Sequence, residues 1–225
     1  MNTAIIAAAG TGSRMASDQP KQFLQLAGTP IIFHTLGAFE QCESIQEVIV
    51  VLPAEEAAAF LTLAGKHGLR KLSRVVPGGT TRADSVKRGL NAIRPATAGI
   101  VAVHDGVRPF VTVEEIEKVV AAAESGGAAI LVGPVTDTIK QVGDGAVVMT
   151  LERRELRRAL TPQCFRYELL RKAYEQVDVN DPSLTDESVL VEKIGARVSI
   201  VEGSSRNIKI TTPQDLLIAE ALLKG

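Results

Sequence analysis

Short apolar runs alternate with helix-forming segments along most of this chain, and this alternation limits its possible folds more than any other feature. Candidate strands cover residues 3–8, 47–52, 73–76, 100–103 and 128–133. Candidate helices lie between them at residues 31–39, 54–66, 82–93 and 113–125. Strands that alternate with helices predict a three-layer α/β fold with a mostly parallel central sheet.

Length and charge narrow the classes of protein further. The 225 residues, of which 45% are hydrophobic, predict a single domain over residues 1–225 with a substantial core. The net charge of −1 offers no general attraction to nucleic acid or to an anionic membrane, so neither partner is expected. No signal peptide or membrane span is recognisable, and Cys42 and Cys164 lack metal-type spacing. We therefore expect a cytoplasmic protein with reduced thiols.

The segment that follows the first candidate strand predicts a phosphate site. Gly10 and Gly12 permit a sharp turn and a close approach to the main chain, and Arg14 and Lys21 add two positive charges. Met15 stands where a dinucleotide-binding loop has its third glycine, and the Gly-Lys-Ser/Thr of a Walker loop is absent. An ordinary strand-to-helix turn is the alternative, but the two cations favour a triphosphate.

Two later strand ends carry groups suited to a ligand. In residues 78–86, glycines precede a predicted helix, and the hydroxyl of Ser85 could hydrogen-bond the edge of a base. The alternative is an ordinary helix start, with Thr80 or Thr81 as its cap and residues 82–84 as surface charge. In residues 104–110, Asp105 and Arg108 could bind a ligand or pair with each other, whereas His104 is expected to be a packed strand residue. Because ligands bind at the carboxyl ends of parallel strands, the turns after residues 9, 76 and 103 should share one edge.

Residues 135–151 interrupt the alternation. Strands at 135–142 and 146–151 around Gly143-Asp144-Gly145 predict a hairpin. A projecting two-stranded arm is marginal alone, so pairing with the same arm of a second subunit is favoured over folding onto its own domain.

The last third of the chain contains further charged candidates. The arginines at 153, 154, 157 and 158 are typical of a solvated helix face, and residues 185–188 predict a helix start. Further strands are predicted at 198–202 and 207–210, before a helix that begins at Pro213 with Thr212 as its cap. Lys209 would then lie inside an apolar strand, where an ammonium is costly unless it reaches water or an anion.

Together these segments resemble one known family, the 2-C-methyl-D-erythritol 4-phosphate cytidylyltransferases of the non-mevalonate isoprenoid pathway. The matching segments, in chain order, are AAAGTGSRM, PKQF, GGTTRADSV, VHDGVRPFV, DTIK, LTPQ, TDE and NIKIT. The resemblance implies a nucleotidyltransferase α/β fold, a homodimer formed through the β-arm and a Mg²⁺ requirement. It implies that CTP and methylerythritol phosphate are converted to 4-diphosphocytidyl-2-C-methyl-D-erythritol and pyrophosphate.

The resemblance also implies roles for particular residues. Arg14 and Lys21 would stabilise charge on the CTP phosphates, and Arg153 and Lys209 would position methylerythritol phosphate. The CTP pocket would consist of Ala8, Ala9, Gly10, Gly79, Thr80 and Ser85. The acceptor site would be completed by Asp105, Arg108, Thr138, Thr161 and Thr185. Asp105 is also the leading candidate ligand for Mg²⁺, with the ion held mainly by CTP phosphates. Whether Arg153 serves its own or the neighbouring subunit is left open.

Three alternatives remain at this point. A ribitol 5-phosphate cytidylyltransferase is the nearest, and turnover of the two acceptors would separate them. A non-catalytic nucleotide-binding regulator is a second, against which the presence of both Arg14 and Lys21 argues. A structural α/β dimer without a ligand is the third.

Overall fold

The computed structural model describes residues 1–10, 15, 19–179 and 181–224 of the chain. Its strands are β1 Thr3–Ala7, β2 Gln25–Leu26, β3 Thr29–Pro30, β4 Glu47–Leu52, β5 Leu72–Pro77, β6 Ile100–Asp105, β7 Ala128–Pro134, β8 Lys140–Gly143, β9 Ala146–Thr150, β10 Arg157–Arg166 and β11 Ser199–Glu202. Its helices are α1 Ile31–Gln41, α2 Ala57–Lys66, α3 Arg82–Asn91, α4 Val113–Gly126, α5 Tyr167–Gln176, α6 Glu187–Lys193 and α7 Pro213–Lys224.

Seven strands form the central sheet, in the order β11-β7-β10-β6-β1-β4-β5. Strand β10 runs antiparallel to both of its neighbours, and every other pairing in the sheet is parallel. The predicted three-layer α/β fold with a mostly parallel sheet is confirmed. The five strands predicted first correspond to β1, β4, β5, β6 and β7; the ends of β4 are as predicted, and those of the other four differ by at most two residues.

Side-chain alternation along the strands separates the two faces of the sheet. In β1, Ala4 and Ile6 pack against α1, α2 and α4 on one face, whereas Ile5 packs against α3, α5 and α6 on the other. Both faces are apolar and covered, as a parallel sheet requires. The sheet is therefore a rigid platform, and its loops beyond the carboxyl ends of β1, β5 and β6 are held at one edge.

Helix starts show why these segments are helical. Thr81 caps α3 by accepting a hydrogen bond from the backbone of Asp84. Thr112 and Glu115 form a reciprocal capping box at the start of α4. Thr212 accepts from the backbone of Asp215 at the start of α7, as the sequence predicts. Such caps satisfy backbone donors that the first helical turn leaves without partners.

Two regions differ from the sequence predictions. The arginines at 153, 154, 157 and 158 do not form a helix face: a single 3-10 turn, Arg153–Glu155, is followed by β10. Strand β10 lies inside the sheet although it contains Pro162, and a proline normally argues against a central strand. The register of β10 against β7 shifts between Ala159 and Gln163, and Pro162 lies within that irregularity.

Residues 207–210 do not form the predicted strand. Their backbone makes isolated bonds instead of a ladder: Ile210 N–H donates to Val107 O, and the carbonyl of Asn207 accepts from Arg108. Lys209 therefore lies on an extended loop that crosses the carboxyl edge of the sheet.

The predicted hairpin is present as β8 and β9, although its first strand begins at Lys140 and not at residue 135. Asp144 and Gly145 form its turn with positive φ angles of 50° and 77°. Every residue of both strands is exposed. The hairpin therefore projects from the sheet as an arm, and within the described residues it forms a two-stranded sheet of its own.

Candidate active site

A cavity of about 300 Å³ opens at the carboxyl edge of the sheet. Its walls come from the last residue of β1 and the three that follow it (residues 7–10), residues 79–82 at the start of α3, and Asp105 at the end of β6. Lys21, Ser85 and Lys209 also line it. The three turns predicted to share one edge do so, and the cavity volume lies at the lower end of the range for small-molecule sites.

The glycine segment before α3 is held by a compact hydrogen-bond network. Ser85 Oγ accepts from the backbone N–H of Gly79 and donates to the carbonyl of Thr81, both at 2.9 Å. The backbone N–H of Thr80 donates to Asp84 Oδ2 at 3.1 Å. Ser85 thus shapes the cavity wall by fixing the loop, in addition to any contact it makes with a ligand.

Small residues at this edge are required by close packing. A Cβ at Gly79 would lie 1.9 Å from Asp84 Oδ2, and a Cβ at Gly78 would lie 2.2 Å from Ala9 Cβ. A Cβ at Gly106 would lie 2.8 Å from Ala8 Cβ. Each is closer than real Cβ contacts allow, so larger side chains would push the loops apart and change the cavity.

A smaller cavity of about 100 Å³ adjoins the first. The two share three lining residues, Arg82, Asp105 and Lys209. The remaining wall of the smaller cavity includes Arg108, Thr161 and Thr185. The structure therefore brings four of the five residues assigned to the acceptor site, together with Lys209, around one space beside the larger cavity.

Asp105 is the centre of charge at the shared wall. Its Oδ2 lies 3.0 Å from Arg108 Nε and 3.1 Å from Lys209 Nζ, and its Oδ1 lies 3.3 Å from Arg82 Nε. Burial disfavours a charged carboxylate, but the positive charges of Arg82, Lys209 and Arg108 hold the pKa of Asp105 well below its usual range. Asp105 and Arg108 do pair, as one interpretation of the sequence allowed, within a larger cluster.

His104 is a packed strand residue, as the sequence predicts. It is completely buried; Nε2 donates to the carbonyl of Arg108, so Nδ1 accepts from the hydroxyl of Thr161. The same hydroxyl oxygen accepts from the backbone N–H of Asp105 at 3.2 Å. Burial lowers the pKa of His104 to about 3, so the imidazole is neutral and holds the turn that presents Asp105.

Two of the assigned residues that the structure describes do not line these cavities. Arg153 and Thr138 are exposed at the base of the arm, where Arg153 Nη1 donates to the carbonyl of Thr136 at 2.7 Å. Neither of them lines either cavity of its own chain. Arg14 lies outside the described residues.

Two residues of the site were missed by sequence reasoning. Arg82, which the sequence analysis interpreted as surface charge, lines both cavities. A cation in the first turn of a helix is unfavourable beside the positive end of the helix dipole, so its presence there is a signal that an anionic partner lies nearby. Gln22 is 1% exposed and lines the larger cavity, and its two side-chain polar atoms make no hydrogen bond within the described residues. Its position next to Lys21 in the PKQF segment was the available signal.

The described residues do not form a protein cage for a metal ion. No group of three or more His, Cys, Asp or Glu side chains in that part of the chain is arranged to hold one. Both oxygens of Asp105 already contact cationic side chains. The described residues therefore do not fit a Mg²⁺ ion held by the protein alone. Mg²⁺ is usually bound by one or two carboxylates together with substrate phosphates, so the phosphates would have to supply most of its ligands.

Comparison with known proteins places this chain in a family. A family model described as 2-C-methyl-D-erythritol 4-phosphate cytidylyltransferase matches residues 2–225. A protein of that name from Pelotomaculum thermopropionicum is 48% identical over 224 residues, which are 99% of this chain and 94% of that protein.

Solved structures agree. The 4-diphosphocytidyl-2C-methyl-D-erythritol synthase of Anaerococcus prevotii superposes with a TM-score of 0.88 at 32% identity, covering all of this chain and 96% of that one. The 2-C-methyl-D-erythritol 4-phosphate cytidylyltransferase of Thermus thermophilus gives 0.81 at 36% identity, over 99% and 98% of the two chains. With its glycine-lined cavity and cationic shared wall, this chain belongs to the 2-C-methyl-D-erythritol 4-phosphate cytidylyltransferase family.

Proposed function

We propose that the two adjoining cavities bind CTP and methylerythritol phosphate, with the reaction at their shared wall. The chain is a CTP-dependent cytidylyltransferase of the non-mevalonate isoprenoid pathway. It joins CTP to 2-C-methyl-D-erythritol 4-phosphate and releases pyrophosphate. The observation that carries the assignment of the site is the cluster of Asp105 with three cationic side chains between the cavities.

The larger cavity is assigned to CTP. Residues 8–10 and 79–80 line it. The hydrogen bonds that Gly79 and Thr80 donate to Ser85 and Asp84 fix the shape of the main chain against which a pyrimidine would pack. Ser85 holds that backbone in place. Lys21 lies in the same wall and Arg14 follows the same loop in sequence, so both are assigned to the charge on the triphosphate.

The chemistry needs cations more than a base. An oxygen of the acceptor's phosphate forms a bond to the α-phosphorus of CTP, and the bond from that phosphorus to the bridging oxygen breaks. Pyrophosphate leaves with the electron pair. The attacking phosphate is already ionised, and two anions must approach each other. A fixed positive group such as Lys21 would stabilise the charge that develops.

The smaller cavity is assigned to methylerythritol phosphate. Asp105, Thr161 and Thr185 offer oxygen atoms to the hydroxyl groups of a polyol. Lys209 offers an ammonium to its phosphate at the wall shared with the CTP cavity. Arg108 is 9% exposed and bound to Asp105 and Asn207, so its main role is to hold the carboxylate in place.

The arm is assigned to a homodimer. Its exposed apolar side chains are Val142, Val147, Val148 and Met149, with 50% to 68% of each residue accessible. A second copy of the same hairpin would cover this surface and pair its edges. Arg153 and Thr138 lie at the base of that arm, so a dimer would present them to the neighbouring active site.

A magnesium requirement is retained as a proposal with CTP as the carrier of the ion. The cation would neutralise charge on the triphosphate, and the described residues do not fit as a cage for it. Activity should therefore rise with Mg²⁺ as CTP becomes complexed. Tight retention of Mg²⁺ by the protein without nucleotide, measured by equilibrium dialysis, would contradict this.

The extent and location of the protein are also proposals. Residues 1–225 are assigned to one cytidylyltransferase domain with the arm as its projection. A cytoplasmic location is supported by Cys42 and Cys164, which are both buried free thiols. None of the helices in the described part of the chain combines the length and apolar character needed to cross a bilayer.

Pyrophosphate release in the presence of CTP tests the assignment. Methylerythritol phosphate should support turnover, whereas ribitol 5-phosphate should support much less. Replacing CTP by ATP should abolish turnover, because the main chain leaves little room for a purine. Preference for ribitol 5-phosphate would contradict the acceptor assignment, and nucleotide binding without release of pyrophosphate would favour a regulator.

A further inference from the structure

Arg82 lies where the two cavities meet. It is the first residue of α3 and follows directly on the glycine segment that lines the larger cavity. It also lines the smaller cavity, together with Asp105 and Lys209. Arg82 therefore belongs to the walls of both cavities, and its side chain reaches Asp105 at the wall that they share.

The guanidinium of Arg82 joins two buried carboxylates from different elements. Its Nε lies 3.3 Å from Asp105 Oδ1, and its Nη1 lies 2.8 Å from both oxygens of Glu187 on α6. Tyr174 on α5 donates to Glu187 Oε1 at 3.2 Å. The side chains of Asp105 and Glu187 are 7% and 1% exposed, so water contributes little to holding them.

This network contributes little to the free energy of folding, but it fixes the relative positions of the two carboxylates. Removing charges from water costs about as much free energy as a buried ion pair returns. A planar guanidinium, however, has donors in a rigid fork and can fix two carboxylates relative to each other. With Oδ1 bound to Arg82, the other oxygen of Asp105 faces Lys209 and Arg108.

The far end of the network also touches the acceptor cavity. Asp186, the residue before Glu187, caps α6 and accepts from the side chain of Gln163 at 2.9 Å. Asp186, Gln163 and Thr185 all line the smaller cavity. Arg82 thus links the start of α3, the end of β6 and the start of α6, and two of these carry groups of the acceptor site.

We propose that Arg82 is a positioning residue that couples the two substrates: nucleotide bound against residues 79–81 fixes the start of α3, and Arg82 transmits this order to Asp105 and α6. The coupling rests on the proposed substrate assignment. Methylerythritol phosphate then binds more tightly to the nucleotide complex than to the free enzyme. By thermodynamic reciprocity, bound methylerythritol phosphate raises the affinity for the nucleotide by the same factor.

The test is a binding cycle measured by calorimetry. Dissociation constants are determined for methylerythritol phosphate with and without α,β-methylene-CTP, a nucleotide that cannot be cleaved at the α-phosphorus. The coupling factor is the ratio of the dissociation constants without and with the nucleotide. In the unaltered enzyme it should be at least about five, the lower end of typical allosteric coupling. Arg82→Lys keeps the charge but loses the fork, and its coupling factor should fall close to one.

Arg171→Lys is the matched control. Arg171 lies on α5 and pairs with two carboxylates, Glu168 and Glu175, but it is partly exposed and lines neither cavity. Its replacement makes the same chemical change outside the site and should leave the coupling factor unaltered. By the same reciprocity, Arg82→Lys should weaken binding of the nucleotide analogue in the presence of methylerythritol phosphate by the same factor, and Arg171→Lys should not.

A second variant keeps the proposal testable if Arg82→Lys folds poorly. Glu187→Gln is nearly isosteric and retains an acceptor for Tyr174, but it weakens the hold on Arg82, so it should reduce the same coupling. Three results would overturn the proposal: no coupling in the unaltered enzyme, normal coupling in the site variants, or equal loss in Arg171→Lys. Failure of the unaltered enzyme to bind methylerythritol phosphate at all would instead reject the substrate assignment.

Discussion

The carboxyl edge of the central sheet and the β8–β9 arm differ in how far the same chain pairs their charges and covers their apolar side chains. At the sheet edge, Asp105 is 5% exposed and contacts three cationic side chains of the same chain. On the arm, every strand residue is exposed and Val142 is 68% accessible. The charges of the first region are paired within a single chain, whereas the apolar side chains of the second are exposed in the described structure.

The difference shows which part of the site a single chain can supply. The cavity proposed for the nucleotide and most of the cavity proposed for the acceptor lie at the carboxyl edge of the sheet, within a single chain. Arg153 and Thr138 belong to the arm, so their relation to either cavity depends on what the arm contacts. Catalytic electrostatics and acceptor positioning should therefore respond differently when the arm is altered.

The largest effect is expected at the sheet edge. Lys21→Ala should lower turnover at saturating substrates about a hundred- to a thousandfold, because losing one preorganised charge costs roughly 3–4 kcal/mol in the transition state. CTP affinity should change far less. The control is Lys172→Ala, which removes an exposed lysine from α5. Near-normal turnover of Lys21→Ala would show that the charge on the triphosphate is stabilised elsewhere.

The next effect concerns the arm. Val147→Asp should separate the dimer, because each valine withdrawn from water contributes about 1.5–3 kcal/mol and a symmetric dimer loses two. The dimer dissociation constant should rise at least about a hundredfold. Sedimentation velocity over a range of concentrations measures this. Leu61→Asp, a similar change at an exposed position on α2, should not affect it. A monomeric unaltered protein would reject the arm interface.

A smaller effect joins the two regions. Arg153→Ala and Lys209→Ala should each raise KM for methylerythritol phosphate about tenfold, the effect of losing roughly 1.4 kcal/mol of binding. If the arm reaches the neighbouring subunit, mixing the two variants forms heterodimers in which one site has both residues. Random exchange of equal amounts would restore about a quarter of all sites. Proven exchange without recovery would place Arg153 in the site of its own chain.

The last effect lies outside both regions and concerns stability instead of activity: a pH dependence of the core. His104 has a pKa of about 3 when folded, against an ordinary value of 6.5, so the unfolded chain binds the extra proton between these values. Stability should therefore fall as pH drops below 6.5, by about 2 kcal/mol between pH 7 and pH 5.

Denaturant unfolding at both pH values measures this dependence. His104→Gln should be less stable overall but should lose much less stability on acidification. His67→Gln, at an exposed position, should keep the dependence of the unaltered protein. An unchanged pH slope in His104→Gln would show that other groups cause the effect.

The sequence determined the parts of this protein that depend on local pattern. Alternating apolar runs and capped amphipathic segments predicted β1, β4 and β6 and the helices between them, because burial and hydrogen bonding act over a few neighbouring residues. The rule that parallel strands end at a common edge then predicted that residues 8–10, 79–80 and 105 would meet. The ordered motifs identified the family, and with it the reaction.

Only the tertiary structure decided features that depend on partners distant in the chain. Because it contains Pro162, β10 does not have the sequence pattern of a central strand, and a register shift against β7 accommodates the proline. Lys209 was predicted in a strand, yet a single bond from Ile210 to Val107 and an ion pair with Asp105 define its loop. Arg82 resembles a surface charge until Glu187, which lies 105 residues away, approaches it. A charge is recognisable in the sequence, but its partner depends on how the layers pack.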